Sequence, residues 1–354
     1  MLESLLETYG DATVLAVIGA LVGLLFGAAA QRSRFCLRAA TVETFEGRPG
    51  DRMAIWLIVF FTALGATQLA VISGALDVSG ARQLAATGSL SGAILGGLMF
   101  GIGMVLARGC ASRLLVLSGT GNMRALVTGL VVTLVAQASY RGVLAPLRET
   151  IAGLWTVPGG ADRDVASLLG MGQGVVLIFA GLGLALALWL AVKTAVGWSK
   201  GGSAILVGLA VTLGWLGTWA VASVSFEVVP ISSVTFTGPS TDTLMALVTE
   251  RSLALSFGIG LVPGVFLGSA GMALLTREFK IERFGPDTPM ERYLAGAVLM
   301  GFGAMLAGGC AVGAGVSGGA ILSLTAWVAV ASMWAGALLT QTMLRLSPTP
   351  ARAG

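Results

Sequence analysis

The chain contains no histidine, so the commonest metal ligand and the usual proton shuttle near neutral pH are both missing. Charged residues make up only 11% of its 354 positions, against roughly 25% in soluble domains. All seventeen carboxylates fall in connections or at the ends of apolar runs, none near the middle of one. That argues against a carboxylate relay inside the membrane, a common device of proton- and sodium-coupled carriers. Three cysteines, an odd number without metal-ligand spacing, support neither a disulfide framework nor a zinc site. A net charge of +4, scattered along the chain, leaves no footprint for nucleic acid. No metal and no cofactor is expected.

What fills the chain instead is apolar. Hydrophobic residues make up 56%, mean hydropathy is +0.90, and there are 52 glycines. Runs of about 20 apolar residues read as membrane spans. Nine are expected, over 12–30, 53–75, 89–107, 123–143, 171–193, 203–222, 251–275, 291–307 and 321–345. The class is an all-α polytopic membrane protein in a lipid bilayer. The opening MLESLLETYGDA is acidic and lacks the basic region of a signal peptide, so the first helix is expected to stay. Sixteen basic residues, Arg108, Arg113 and Arg352 among them, fall on one side of the alternation. Five fall on the other: Arg82, Arg141, Arg148, Arg163 and Arg251. The positive-inside rule then puts the N-terminus outside and the C-terminus in the cytoplasm.

Two stretches, starting at Gly96 and Gly296, share ten identities in twenty-four ungapped positions, and each carries a Gly-Cys pair: Gly109-Cys110 and Gly309-Cys310. Repeats interrupted by glycine inside apolar segments mark the binding site of many secondary transporters. With nine spans the third runs inward and the eighth outward, so the two units are expected to be antiparallel. The expectation is one transmembrane transport domain of two inverted halves, about 1–170 and 171–354, around a central constriction. Residues 89–118 are too long for one simple crossing. A break at Gly109-Cys110 followed by a short re-entrant helix fits better, and that helix would aim N–H groups at the thiol, favouring an anion there. Residues 144–170 are expected to include a short amphipathic surface piece, and 223–250 to form a surface loop, with an outer vestibule as the alternative.

A thiol differs from a serine hydroxyl in being a weak, soft donor and, deprotonated, a nucleophile. Thiols in a water-poor passage suit a ligand whose own acceptor is sulfur or selenium. Sulfate would lose strong hydration there and gain only poor hydrogen bonds. Packing alone explains repeated glycines better than repeated cysteines. Cys36 sits in QRSRFCLRAA among Arg32, Arg34 and Arg38; topology alone accounts for such arginines, and a lone buried cysteine can be mere packing.

QRSRFC, LARGCASRLLVLSG and MGFGAMLAGGCAVGAGVSG resemble the YeeE/YedE family of bacterial inner-membrane sulfur-transport proteins, across nearly the whole chain. The resemblance implies thiosulfate uptake from periplasm to cytoplasm, through successive S–H···S hydrogen bonds. The cysteines it assigns to that path are Cys36, Cys110 and Cys310, with Gly109 and Gly309 beside two of them. The chain departs from the family where Ala111-Ser112-Arg113-Leu114-Leu115 replaces a Ser-Gly-rich turn and Arg108 precedes the pair. Arg108 and Arg113 either draw anions to the inner mouth or mark the cytoplasmic edge. Two other classes stay open: a membrane thiol protein passing sulfur or selenium covalently as a persulfide, and a purely structural subunit. A cytoplasmic sulfur-accepting protein is a further partner the sequence leaves open.

Overall fold

A computed structural model of the chain describes residues 2–48, 50–249, 254–283 and 290–346. Arg251 and Arg352, counted above among the basic residues, lie outside the described residues. After the short α1 (Leu2–Tyr9), the first span is α2 (Asp11–Ser33) with α3 (Leu37–Phe45), followed by α4 (Asp51–Ile72) and the single turn α5 (Arg82–Ala85). Then come α6 (Leu90–Leu106) with the short α7 (Ala111–Gly119), α8 (Met123–Arg141), and the connecting pieces α9 (Ala145–Gly153) and α10 (Val165–Leu168). The second half has α11 (Gln173–Lys193), α12 (Trp198–Ala222), α13 (Thr237–Thr249) and α14 (Phe257–Leu275). It closes with α15 (Met290–Leu306), a π-helix we label π1 (Ala311–Gly318), and α16 (Leu324–Leu346). Among the described residues, nine segments are long and apolar enough to cross a bilayer. Their long helices match the nine expected spans to within six residues at either end, and three segments run on through a short second helix to Phe45, Gly119 and Gly318.

Helices do not associate in lipid by burying grease, because lipid tails are as apolar as leucine; small residues that let backbones approach do the work. Gly19, Gly23 and Gly27 of α2 face Gly260, Gly264 and Gly268 of α14 in a parallel pair. A methyl on Gly260 would lie 1.9 Å from the Ala16 carbonyl oxygen, and one on Gly27 would lie 2.2 Å from that of Val265. These contacts leave no room for any side chain.

A second glycine contact joins α6 to α15, this time antiparallel. A Cβ on Gly103 would stand 2.6 Å from the Gly296 oxygen, and one on Gly303 would stand 2.7 Å from the Gly96 oxygen. A Cβ on Gly96 or Gly296 would likewise meet the amide nitrogen of the alanine that follows the other helix, Ala307 at 2.5 Å and Ala107 at 2.6 Å. The contact is reciprocal at positions two hundred residues apart. It sets the two Gly-Cys breaks at opposite ends of one crossing.

The expected surface loop at 223–250 is not what forms. Ser232 exchanges backbone hydrogen bonds with the Thr218 hydroxyl, and the Ser233 hydroxyl donates to the Val211 oxygen at 2.6 Å, so the chain runs back along α12 toward mid-membrane. Val234, Phe236 and Thr237 are buried, and α13 leads outward again against α8 and α14. Irregular backbone survives at that depth because protein, not lipid, surrounds it. By contrast α9 in the 144–170 connection buries no side chain, and Thr156–Val157 pairs antiparallel with Gly88–Ser89.

Candidate functional site

The three cysteines share one local construction. Two residues before each stands a left-handed residue that ends the preceding helix: Arg34 (φ 56), Arg108 (φ 54) and Gly308 (φ 78). The Gly109 N–H then closes on the Met104 oxygen at 3.1 Å, and the Gly309 N–H on Ala304 at 2.9 Å, satisfying carbonyls the helix end would leave open. Glycine takes the left-handed conformation freely, whereas an L side chain there costs about 1–2 kcal/mol. Arg34 and Arg108 bear that cost; Gly308 does not.

Each cysteine is next the extended N-cap of a short helix: Cys36 before α3, Cys110 before α7 and Cys310 before π1. Cys110 (φ −81, ψ 167) and Cys310 (φ −82, ψ −178) are nearly superposable in backbone conformation. The Gly313 N–H donates to Cys310 Sγ at 3.5 Å, and Cys110 Sγ lies 3.3 Å from the Ser112 hydroxyl. Cys36 and Cys110 lie near each other. Exposure falls from 8% at Cys36 to 1% at Cys110 and 0% at Cys310. Thus each thiol sits at the positive end of a helix dipole, and α7 touches π1. Gly109 and Gly309 shape the turns: a Cβ on Gly309 would meet the Ala314 amide nitrogen at 2.9 Å, and one on Gly109 would meet Leu114 at 3.3 Å.

A cationic cavity opens at each end of this crossing. The one beyond Arg108 has a volume of about 530 Å³ and is lined by Cys36, Arg34, Arg38, Arg52, Arg108, Arg113 and Lys280. Its two carboxylates are engaged, Glu278 by Arg34 at 3.4 Å and by Gln31 at 3.0 Å, and Glu282 by Asn122. Arg38 Nε and Arg113 Nη1 are buried without a partner. Both arginines bracketing Cys110 therefore face the mouth of the site. The opposite cavity, of about 270 Å³ beside Gly308, is lined by Arg82, Arg148 and Arg163 with no carboxylate in its wall. Arg163 is 5% exposed and donates to Ala86 O at 2.6 Å and Thr325 Oγ1 at 2.5 Å. Burial first, then the neighbouring Arg82, holds its pKa below the ordinary value.

Cys36 lines the larger of the two cavities, whereas Cys110 and Cys310 are buried and line neither. Among the described residues, no three His, Cys, Asp or Glu side chains converge into a metal-ligand set. Sequence reasoning missed the buried role of Arg163, because an arginine in a connection between spans carries no local mark of burial. It also missed the 234–237 segment beside π1, where the Ser317 hydroxyl donates to the Val234 oxygen at 2.6 Å.

A family model described as sulphur transport matches residues 32–339. A thiosulfate transporter, TsuA, of Escherichia coli is 26% identical to the chain over 93% of it and 95% of the relative's own length. The thiosulfate transporter TsuA of Spirochaeta thermophila is 29% identical over 88% of the chain and 93% of its own length.

Proposed function

From the premise that the chain belongs to the sulphur-transport family, YeeE/YedE, and is a multi-pass membrane transporter rather than an enzyme, we propose that it takes up thiosulfate or a closely related soft sulfur anion. Uptake runs from periplasm to cytoplasm across the bacterial inner membrane, with the N-terminus outside. The single observation that carries this reading is the crossing itself: thiol-capped helix ends meeting between two arginine-lined cavities.

The chemistry follows from the two ends of the ligand. Arg82 and Arg163, together with Arg148, whose guanidinium is shared with Glu149 at 3.0 Å, raise the local anion concentration at the outer mouth. Beneath them the dry crossing replaces the hydration of the terminal sulfur with weak S–H donors, first Cys310, then Cys110 and Cys36. No single donor is strong enough to trap the ion. Sulfate offers these thiols no soft atom, so its desolvation goes uncompensated. The arginines of the inner cavity then receive the anion at the cytoplasmic mouth, where a sulfur-accepting protein would consume it. The halves 1–170 and 171–354 supply one side of the path each.

The test is uptake of radiolabelled thiosulfate by purified protein in liposomes, competed with sulfate, sulfite, selenite and tetrathionate. Cys110→Ala and Cys310→Ala each abolish uptake while the protein still inserts; normal uptake in both rejects the relay. A second reading, covalent passage as a persulfide, draws on the nearness of Cys36 to Cys110. It requires reductant-sensitive label to remain on the protein after exposure to substrate.

A further inference from the structure

The likeness between the halves extends beyond the Gly-Cys turns. α2 lies parallel to α14 as α12 lies parallel to α4, where Gly208 abuts the Val59 oxygen. Gly101 of α6 packs on Met333 of α16 as Gly301 of α15 packs on Val132 of α8. α3 leans on α16 as α13 leans on α8. Under this correspondence α2–α3–α4 maps onto α12–α13–α14. Phe35-Cys36, at the start of α3, then maps onto Phe236-Thr237, at the start of α13. Both phenylalanines are buried, and so is Thr237, at 3% exposure.

We infer that Thr237 is a substrate-contacting residue of the outer half, standing where Cys36 stands in the inner half and offering a hydroxyl to the oxygen end of a sulfur oxyanion. The inference rests on the transport reading above for its ligand, and on three observations for its place. First, Thr237 Oγ1 is buried without a partner. Other buried threonines of these helices, such as Thr128 and Thr340, donate to the carbonyl four residues back, but Thr237 opens its helix. An unpartnered buried hydroxyl destabilises the fold, and packing would be served as well by valine. Second, the Thr235 hydroxyl lies against the Cα of Gly313, the residue whose N–H binds Cys310 Sγ; a Cβ there would meet it at 2.1 Å. Third, Phe236 and Thr237 share the wall of a cavity of about 180 Å³ with Ala111, the residue after Cys110. The 235–237 segment therefore threads between the turns that carry Cys310 and Cys110.

Chemistry explains why a hydroxyl fits here. Thiols suit the soft end of such an anion but serve its oxygens poorly, and a hydroxyl is a harder and stronger donor. The outer half would hold one thiol and one hydroxyl where the inner half holds two thiols, so the anion enters with both of its ends met.

Two measurements on the full-length protein decide it. In liposomes, Thr237→Val lowers subsaturating thiosulfate uptake about tenfold, the loss of one hydrogen bond to a charged group, while Thr237→Ser keeps most of it. The valine protein melts in detergent at or above the wild-type temperature, which a merely structural hydroxyl would not allow. In a background of Cys36→Ala, Cys110→Ala and Cys310→Ala, Thr237→Cys is modified by an anionic methanethiosulfonate, and millimolar thiosulfate slows the reaction. Uptake by Thr237→Val within twofold of wild type overturns the inference, as does resistance of Thr237→Cys to the anionic reagent. Wild-type liposomes that take up no thiosulfate would reject the transport reading instead, and labelling would still decide whether position 237 faces an anion path.

Discussion

Replacing Gly103 by alanine would set a methyl group 2.6 Å from the Gly296 oxygen and 2.8 Å from the Met300 amide nitrogen, where α6 crosses α15. Both obstacles are backbone atoms and cannot rotate aside. To relax the first contact to an ordinary 3.4 Å the helices must part by about 0.8 Å. Overpacking of this kind costs about 1–3 kcal/mol, and the better helix propensity of alanine returns about 1. The net loss is therefore small, about 1 kcal/mol, and the protein should fold. Function should suffer far more, because the same crossing fixes the separation of the Cys110 and Cys310 turns. Gly181→Ala, in α11 with open space around its Cβ, is the control and should gain about 1 kcal/mol with normal uptake. Thermal melting in detergent and thiosulfate uptake in liposomes are read on both proteins. If Gly103→Ala is as stable and as active as Gly181→Ala, the crossing does not set the geometry of the path.

Arg108→Gly should relieve the left-handed strain at the end of α6, raising stability by about 1 kcal/mol. It should also slow net uptake, and the wild-type advantage should shrink as salt screens the inner cavity; uptake measured across ionic strength checks this. Arg163→Ala should destabilise by on the order of 3 kcal/mol, since the guanidinium bridges Ala86 O and Thr325 Oγ1 in a buried place. Melting temperature and protease cleavage between α4 and α6 report that loss.

Much of this architecture is legible along the chain. Span length and apolar content are local quantities, so nine crossings follow from counting; the break at Gly109-Cys110 follows from a run too long for one crossing, and that at Gly309-Cys310 from the repeat. The alternating charge also anticipated that Arg82, Arg148 and Arg163 would gather at one end and Arg34, Arg108 and Arg113 at the other. The segment 223–250 misled because its Ser, Thr and β-branched residues read as solvent-exposed loop. Ser232 and Ser233 are there to hydrogen-bond α12 at depth instead.

By itself, then, the amino-acid order determined helix positions, the duplicated thiol and the family to which the chain belongs, because each is written in neighbouring residues. Which helices touch was left to the tertiary structure. The glycines at 19, 23 and 27 show a close-packing face but not that α14 fills it, and nothing near Cys36 names Cys110 as its neighbour. Contacts between faces far apart in the chain depend on how two surfaces fit at backbone distance. Only the folded whole settles that, and with it which hydroxyls, thiols and guanidinium groups come to share one passage.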